Sequence, residues 1–170
     1  MKDTEKKRLS RMTQEEIDAC VKDAKFVGII FDSTKKFNQI KTFFDGIFDC
    51  CEFTRITITQ KDFTRCFFRC CWFEEVYFDR CEIVGSTFFS CGFVHCDFCW
   101  SKLHEVNFAK VYLEENEWVS TGLHSVAFSI DKATDAECDM IAAYMAYEAA
   151  LVKVKRQYHD WYEGKKGGAK

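Results

Sequence analysis

Residues 51–100 read CEFTR ITITQ KDFTR CFFRC CWFEE VYFDR CEIVG STFFS CGFVH CDFCW, and the third letter of every block is Phe or Ile. The register extends outward from this stretch without a slip. From Phe43 to Phe128, eighteen consecutive positions five apart are large and apolar, and they use twelve of the eighteen Phe in the chain. Two residues before each centre lies a second class. From Cys51 to Val126, fourteen of sixteen such positions are small or β-branched, with Lys61 and Asn116 as the exceptions. Offsets 0 and −2 share one face of an extended chain, while the positions between and beyond point the other way. A period of five suits neither a 3.6-residue helix nor a plain alternating strand. It suits a coil of four short extended sides, the large residue and its small partner filling the inside.

The blocks CEFTR (51–55), CWFEE (71–75), CEIVG (81–85), CDFCW (96–100) and VNFAK (106–110) resemble the pentapeptide-repeat family over residues 41–130. The resemblance implies an all-β solenoid, a right-handed quadrilateral β-helix with four repeats per coil. Eighteen repeats then make about four and a half coils, roughly 22 Å tall at the spacing of neighbouring strands.

A solenoid needs caps. Residues 1–40 are read as an N-terminal helix and cap: Thr13 and Glu16 form a capping box that opens a short helix to about Lys25, with Ile17, Cys20, Val21 and Ala24 on its apolar side. FVGIIF (26–31) then reads as a buried strand of a first, irregular coil, and residues 32–42 leave the register. Residues 131–163 read as a long C-terminal helix, opened by a second box at Thr134 and Glu137 and followed by a disordered tail at 164–170. Met140, Tyr144, Tyr147, Leu151, Val154, Tyr158 and Trp161 recur at steps of four and three, a heptad seam that predicts a homodimer. The alternative is a helix folded back along its own solenoid.

Composition excludes several classes. The chain has 170 residues, 24 Lys plus Arg and 27 Asp plus Glu, so its net charge of −3 favours neither a basic nucleic-acid binder nor an acidic tail. Apolar runs such as Phe26–Phe31 are far too short to span a membrane, and MKDTEKKRLSRMTQEE has no apolar core of a secretory signal. A cytoplasmic protein with free thiols is the expectation despite eleven Cys. There is no Pro, so nothing forces a break in a ladder or a helix.

Residues twenty apart stack, so the surface is read by column. Glu52, Glu74, Glu75, Glu114 and Glu115 face outward on the side centred on Phe53, and Asp79, Asp97 and Glu117 on the adjoining side centred on Ile58. From Glu74 to Glu117 there are nine acids against three bases. Such a band can present charge as a duplex does; without a partner it is a solvated face that keeps the protein soluble. The side centred on Phe48 shows Ile47, Phe67 and Phe89 outward, an apolar contact face expected to lie under one of the chain's own helices. Trp72, Tyr77, Trp100 and Tyr112 also fall outward, where clamping neighbouring coils is the commoner role.

Catalytic and metal chemistry finds no constellation. Most Cys fall at the inward offset and read as small core fillers; Cys96 and Cys99 form a solitary CxxC. Cys50 and Cys70 stack outward, as do His104 and His124, which lack a third metal ligand. Inward Lys61 is expected at an irregular turn, reaching Asp62 or Gln60. The expectation is a non-enzymatic protein-binding protein without metal, cofactor, membrane or direct nucleic-acid contact. By resemblance to family members that act on DNA gyrase and topoisomerase IV, it mimics DNA and docks by its acidic face. The unbroken register leaves no room for the long loops of the quinolone-protection branch. The alternative is an adaptor, phage- or plasmid-encoded, that joins partners through the Phe67/Phe89 face and the long helix.

Overall fold

The computed structural model describes residues 6–41 and 43–167, with side chains as far as residue 156. Its body is a four-sided β-solenoid of short parallel strands, each paired with the strand twenty residues on. The Phe53 face runs Phe31↔Phe53↔Phe73↔Phe93↔Leu113, and the Phe48 face runs Phe26↔Phe48↔Phe68↔Phe88↔Phe108↔Phe128. The other two faces run Ile58↔Phe78↔Phe98, with Trp118 stacked above, and Phe43↔Phe63↔Ile83↔Leu103↔Leu123.

The columns work because an aromatic ring is about as thick as the strand spacing allows. Phe53–Phe73, Phe73–Phe93 and Phe78–Phe98 stack with centroids 4.4, 4.6 and 4.6 Å apart, within 10° of parallel. Neighbouring columns meet at an angle, as in Phe88–Phe93 at 5.3 Å and 70°, so each ring has both preferred aromatic geometries at once. Every centre from Phe43 to Leu113 is buried.

The small inward residues do more than fill space. Their Sγ or Oγ donates to a backbone carbonyl of the coil beneath: Cys66 to Phe43 at 3.1 Å, Cys81 to Ile58 at 3.3 Å, Ser86 to Phe63 at 3.1 Å and Ser101 to Phe78 at 3.0 Å. Asn116 belongs to the same set. Its Nδ2 donates to Phe93 O at 3.0 Å and its Oδ1 accepts from Cys96 N at 2.9 Å. Burial pushes the Cys66 and Cys81 thiols up to about 11 and Cys96 to about 12, so they stay neutral donors.

Each corner turns on one left-handed residue two past the centre. From Asp45 to Ser125 these have φ between +51° and +54°, or +58° at Gly85. An L-residue there costs roughly 1 kcal/mol or more. The corner N–H offsets it by donating upward, as in Arg55 N to Glu74 O at 3.0 Å and Gln60 N to Asp79 O at 2.9 Å.

The lower end departs from the register, and a helix is the reason. Helix α1 (Gln14–Lys22) carries the expected Thr13–Glu16 capping box but stops three residues short of Lys25, which opens a strand. The unassigned stretch contains α2 (Thr34–Gln39), N-capped by Ser33 and burying Phe37 among Phe31, Phe43 and Phe53. It takes the place of a strand and lengthens the first coil by two residues, so Phe31 pairs with Phe53 rather than with a residue twenty on. The expected partners of Lys61 are not what the structure shows. Lys61, 7% exposed, sends Nζ down to Asn38 O at 2.8 Å and Ile40 O at 2.7 Å. Those are the orphan carbonyls that end α2, where a cation is favoured by both hydrogen bonding and the helix dipole. Desolvation lowers the Lys61 pKa.

At the upper end α3 (Asp135–Gly167) begins with Thr134 and Glu137 bonded to each other. Glu137, 3% exposed, also accepts from Asn116 N at 3.1 Å and Asn116 Nδ2 at 2.6 Å, which fastens the helix to the last regular coil. Ile141 is buried, Met140 packs on the core, and Tyr144 meets Phe128 at 6.2 Å while accepting Val126 N at 2.8 Å. The seven-residue seam is therefore divided. Its first two members close the solenoid, because about three helical turns span the open end. Beyond them Tyr147 and Val154 are 61% and 59% exposed. The Tyr158 and Trp161 side chains lie outside the described ones. The helix runs on through residues 164–167, the first part of the tail expected to be disordered. Residues 168–170 lie outside the described range. Among the described residues no helix is long and apolar enough to cross a membrane.

Candidate functional surface

Two adjoining faces carry the acidic columns. Outward on the Phe53 face, register places Glu52, Trp72, Gly92 and Tyr112 in one column and Thr54, Glu74, Val94 and Glu114 in the next. Around the corner, Thr57, Tyr77, Asp97 and Glu117 form a third column and Thr59, Asp79 and Cys99 a fourth. Six of the eight acids named from the sequence thus occupy these four columns, and Glu75 and Glu115 sit at the left-handed corners between the two faces.

Their charge is not uniform along the rod. Glu52 pairs with Lys6 at 2.7 Å, Glu75 with Arg55 at 3.2 Å and Asp79 with Arg80 at 2.9 Å. Higher up, Glu115 lies 3.2 Å from His95 and Glu114 accepts the Tyr112 hydroxyl. Among the described residues Glu74, Asp97 and Glu117 have no cationic partner within ion-pair distance. Lys6, Arg55 and Arg80, the bases paired with these acids, sit low and midway, while Lys132 stands in the top coil beside Tyr112. The carboxylates act on their neighbours: Asp97 holds the Tyr77 phenol above its ordinary value, and Glu114 does the same to Tyr112.

Aromatic residues fill the gaps between carboxylates. A Cβ at Gly92 would come within 2.2 Å of the Trp72 ring, so glycine is what lets Trp72 lie flat across the next coil. Tyr112 continues the layer, 5.7 Å from Trp72 and tilted 28°, and Lys132 Nζ stands 5.1 Å above the Tyr112 ring. These two aromatics clamp coils. Trp100, at a left-handed corner, is 66% exposed and Tyr77 50%, which leaves them open for contact. Sequence reading missed Lys6 and Lys132, but a glycine twenty residues from both Trp72 and Tyr112 was a usable signal for the clamp.

On the Phe48 face, Ile47, Phe67 and Phe89 are exposed. The cover expected from the chain's own helices is not there: α1 lies at the base against Lys25–Val27, and the docked part of α3 lies over the upper end. Sequence reading passed over two further exposed residues, Val27 on the same face and Phe44 around the corner on the Phe43 face; Arg65 stacks 4.3 Å from the Phe44 ring and Lys110 stands 5.9 Å from Phe89. The His104 and His124 rings lie 4.7 Å apart, tilted by 48°, and among the described residues no three potential ligands gather into a metal cluster.

Several carboxyls elsewhere are held low. Arg65 does this to Asp45 and Arg69 to Asp49. Burial works against Asp32, yet the Ser10 N–H and hydroxyl and Arg8 outweigh it. A carboxyl more acidic in the folded than the unfolded chain stabilises above its unfolded pKa, near 4, and that contribution is lost as pH falls through the folded value. Melting midpoints should therefore hold steady from pH 7 to about pH 5 and decline below about pH 4. A midpoint that climbed on acidification would contradict these assignments.

No protein-family model and no curated protein matches the chain. Among solved structures, two trypsin-treated variants of QnrB1, a plasmid-mediated fluoroquinolone resistance protein, are similar at 14% and 15% identity with TM-scores of 0.39 and 0.40. The matches cover 62% of this chain and 68% and 67% of theirs. Parallel strands stacked on a phenylalanine-rich five-residue repeat fit a pentapeptide-repeat fold.

Proposed function

We propose that this chain is a non-enzymatic binding module that offers a duplex-like band of carboxylates to a basic, DNA-handling groove, with DNA gyrase or topoisomerase IV the first candidates. Charge density carries the reading. A duplex bears a charge every ~1.7 Å of axis, or roughly three over the ~4.8 Å rise of one coil. The coil with Glu114, Glu115 and Glu117 presents three carboxylates on the two faces, Asp97 lies one coil below, and Glu74 one coil below that, where Glu75 and Asp79 are paired with Arg55 and Arg80. Exposed Trp100 and Tyr77 supply the rigid aromatic contacts that salt alone does not weaken. The enzyme names come from the resemblance of the repeats to gyrase-directed relatives, and the charge from this chain's own columns. A second copy joined along the exposed part of α3, through Tyr147, Leu151 and Val154, would lengthen the acidic rod.

The uncovered Ile47, Phe67 and Phe89 favour a second reading, an adaptor that binds by apolar contact. Charge and salt separate the two. If the acidic band binds, replacing Glu74, Glu114, Glu115 and Glu117 together by Lys weakens the effect on gyrase supercoiling ten-fold or more, and added salt weakens it steeply. Binding that survives both but fails with Phe67→Glu or Phe89→Glu belongs to the adaptor. No effect on supercoiling at large molar excess removes gyrase.

A further inference from the structure

Cys50 and Cys70 are exposed and lie one coil apart on the corner between the Phe48 and Phe53 faces. Both are left-handed, with φ +53° and +51°, and their neighbours Asp49 and Arg69 are register partners joined by an ion pair. Cys50 N donates to Arg69 O at 2.9 Å, which holds the two turns one above the other. In-register strands place Cα atoms about 4.8 Å apart, inside the window a disulfide needs. Identical backbone conformations aim the two Cβ atoms the same way. We propose that Cys50 and Cys70 form a reversible dithiol site that is oxidised to an intramolecular bridge by small disulfides of the glutathione type.

The chemistry balances through two exchanges. Cys70 loses its proton and attacks the small disulfide, forming a mixed disulfide and releasing one thiolate. Cys50 then loses its proton and displaces the second, so two protein thiols are oxidised and one small disulfide becomes two thiols. Burial and the adjacent Asp49 hold the Cys50 thiol above its ordinary value, which suits it to the second, intramolecular step. The inward neighbours Cys51 and Cys71 cannot compete, because they are buried and donate to Phe26 O and Phe48 O. Parallel stacking leaves the Cβ atoms slightly farther apart than an unstrained bridge prefers, so the bond is of the labile kind that reduced glutathione reopens.

The test uses the full chain in buffers of oxidised and reduced glutathione, read by intact mass and by tryptic mapping. The proposal expects a loss of about two hydrogens, with peptide 42–55 linked to peptide 70–80, reversal by excess reduced glutathione, and a melting midpoint several degrees higher when bridged. Linkage should vanish in Cys50→Ser and in Cys70→Ser and persist in Cys51→Ser and Cys71→Ser. Stable glutathione adducts on both cysteines without linkage would overturn it. So would linkage that survives Cys50→Ser.

Discussion

Replacing Phe73 by Ala is expected to lower stability by about 4 kcal/mol, near the upper end for a buried aromatic truncation. Phe73 is 1% exposed and touches five other rings: Phe53 and Phe93 stacked below and above, and Phe68, Phe78 and Phe88 at 5.9 Å from neighbouring columns. The ladders on either side hold the strands at fixed spacing, so the cavity cannot collapse. Position adds to the cost. A solenoid relieves a defect near an end by fraying one coil, whereas a defect in the middle divides the stack. Leu123→Ala, on the partly exposed upper coil, should cost less than half as much. Urea unfolding of the two variants checks both values, and equal losses would argue against a stack governed by its nearest neighbours.

Glu137→Ala comes next, at about 3 kcal/mol for the docking of α3. The carboxylate accepts from Thr134 N at 3.0 Å and Thr134 Oγ1 at 2.9 Å as well as from both nitrogens of Asn116, so its loss leaves donors unpaired on the helix and on the coil. Asn116 in turn holds Cys96 N and Phe93 O, and the damage should pass downward one coil. Native-state hydrogen exchange is the sensitive readout. Protection across residues 101–128 should drop by roughly a hundred-fold while the Phe53–Phe73 coils keep theirs. Uniform loss of protection would mean that helix and solenoid unfold as one unit. Glu137→Gln retains the shape and part of the bonding, and should recover most of the protection.

The four-sided coil was legible because each centre repeats one chemical requirement, a ring or branched chain facing a common axis. Phe63, Phe68, Phe73 and Phe78 all meet it with at most 2% exposure. What escaped was wherever one side is made of something else. Helix α2 looked like lost register, yet Lys61 already marked it: an ammonium at an inward position has to find carbonyls that no strand is using. The seam of α3 was visible as a period, but a period does not say how many of its members the solenoid's own end consumes. The carboxylate columns could be drawn from the period of twenty, and Arg55 and Arg80 beside them could be counted the same way. Lys6, forty-six positions from Glu52, could not.

The near-constant separation between ladder partners, twenty residues and twenty-two in the first coil, also governs how the body is made. Each coil closes a loop of nearly the same modest length, so no step waits for distant segments to meet. A ribosome adding roughly 5–20 residues per second delivers a coil every one to four seconds, far longer than short loops need to close. The lower coil, with α2 pinned by Lys61, emerges first and gives every later turn a finished edge to wind upon.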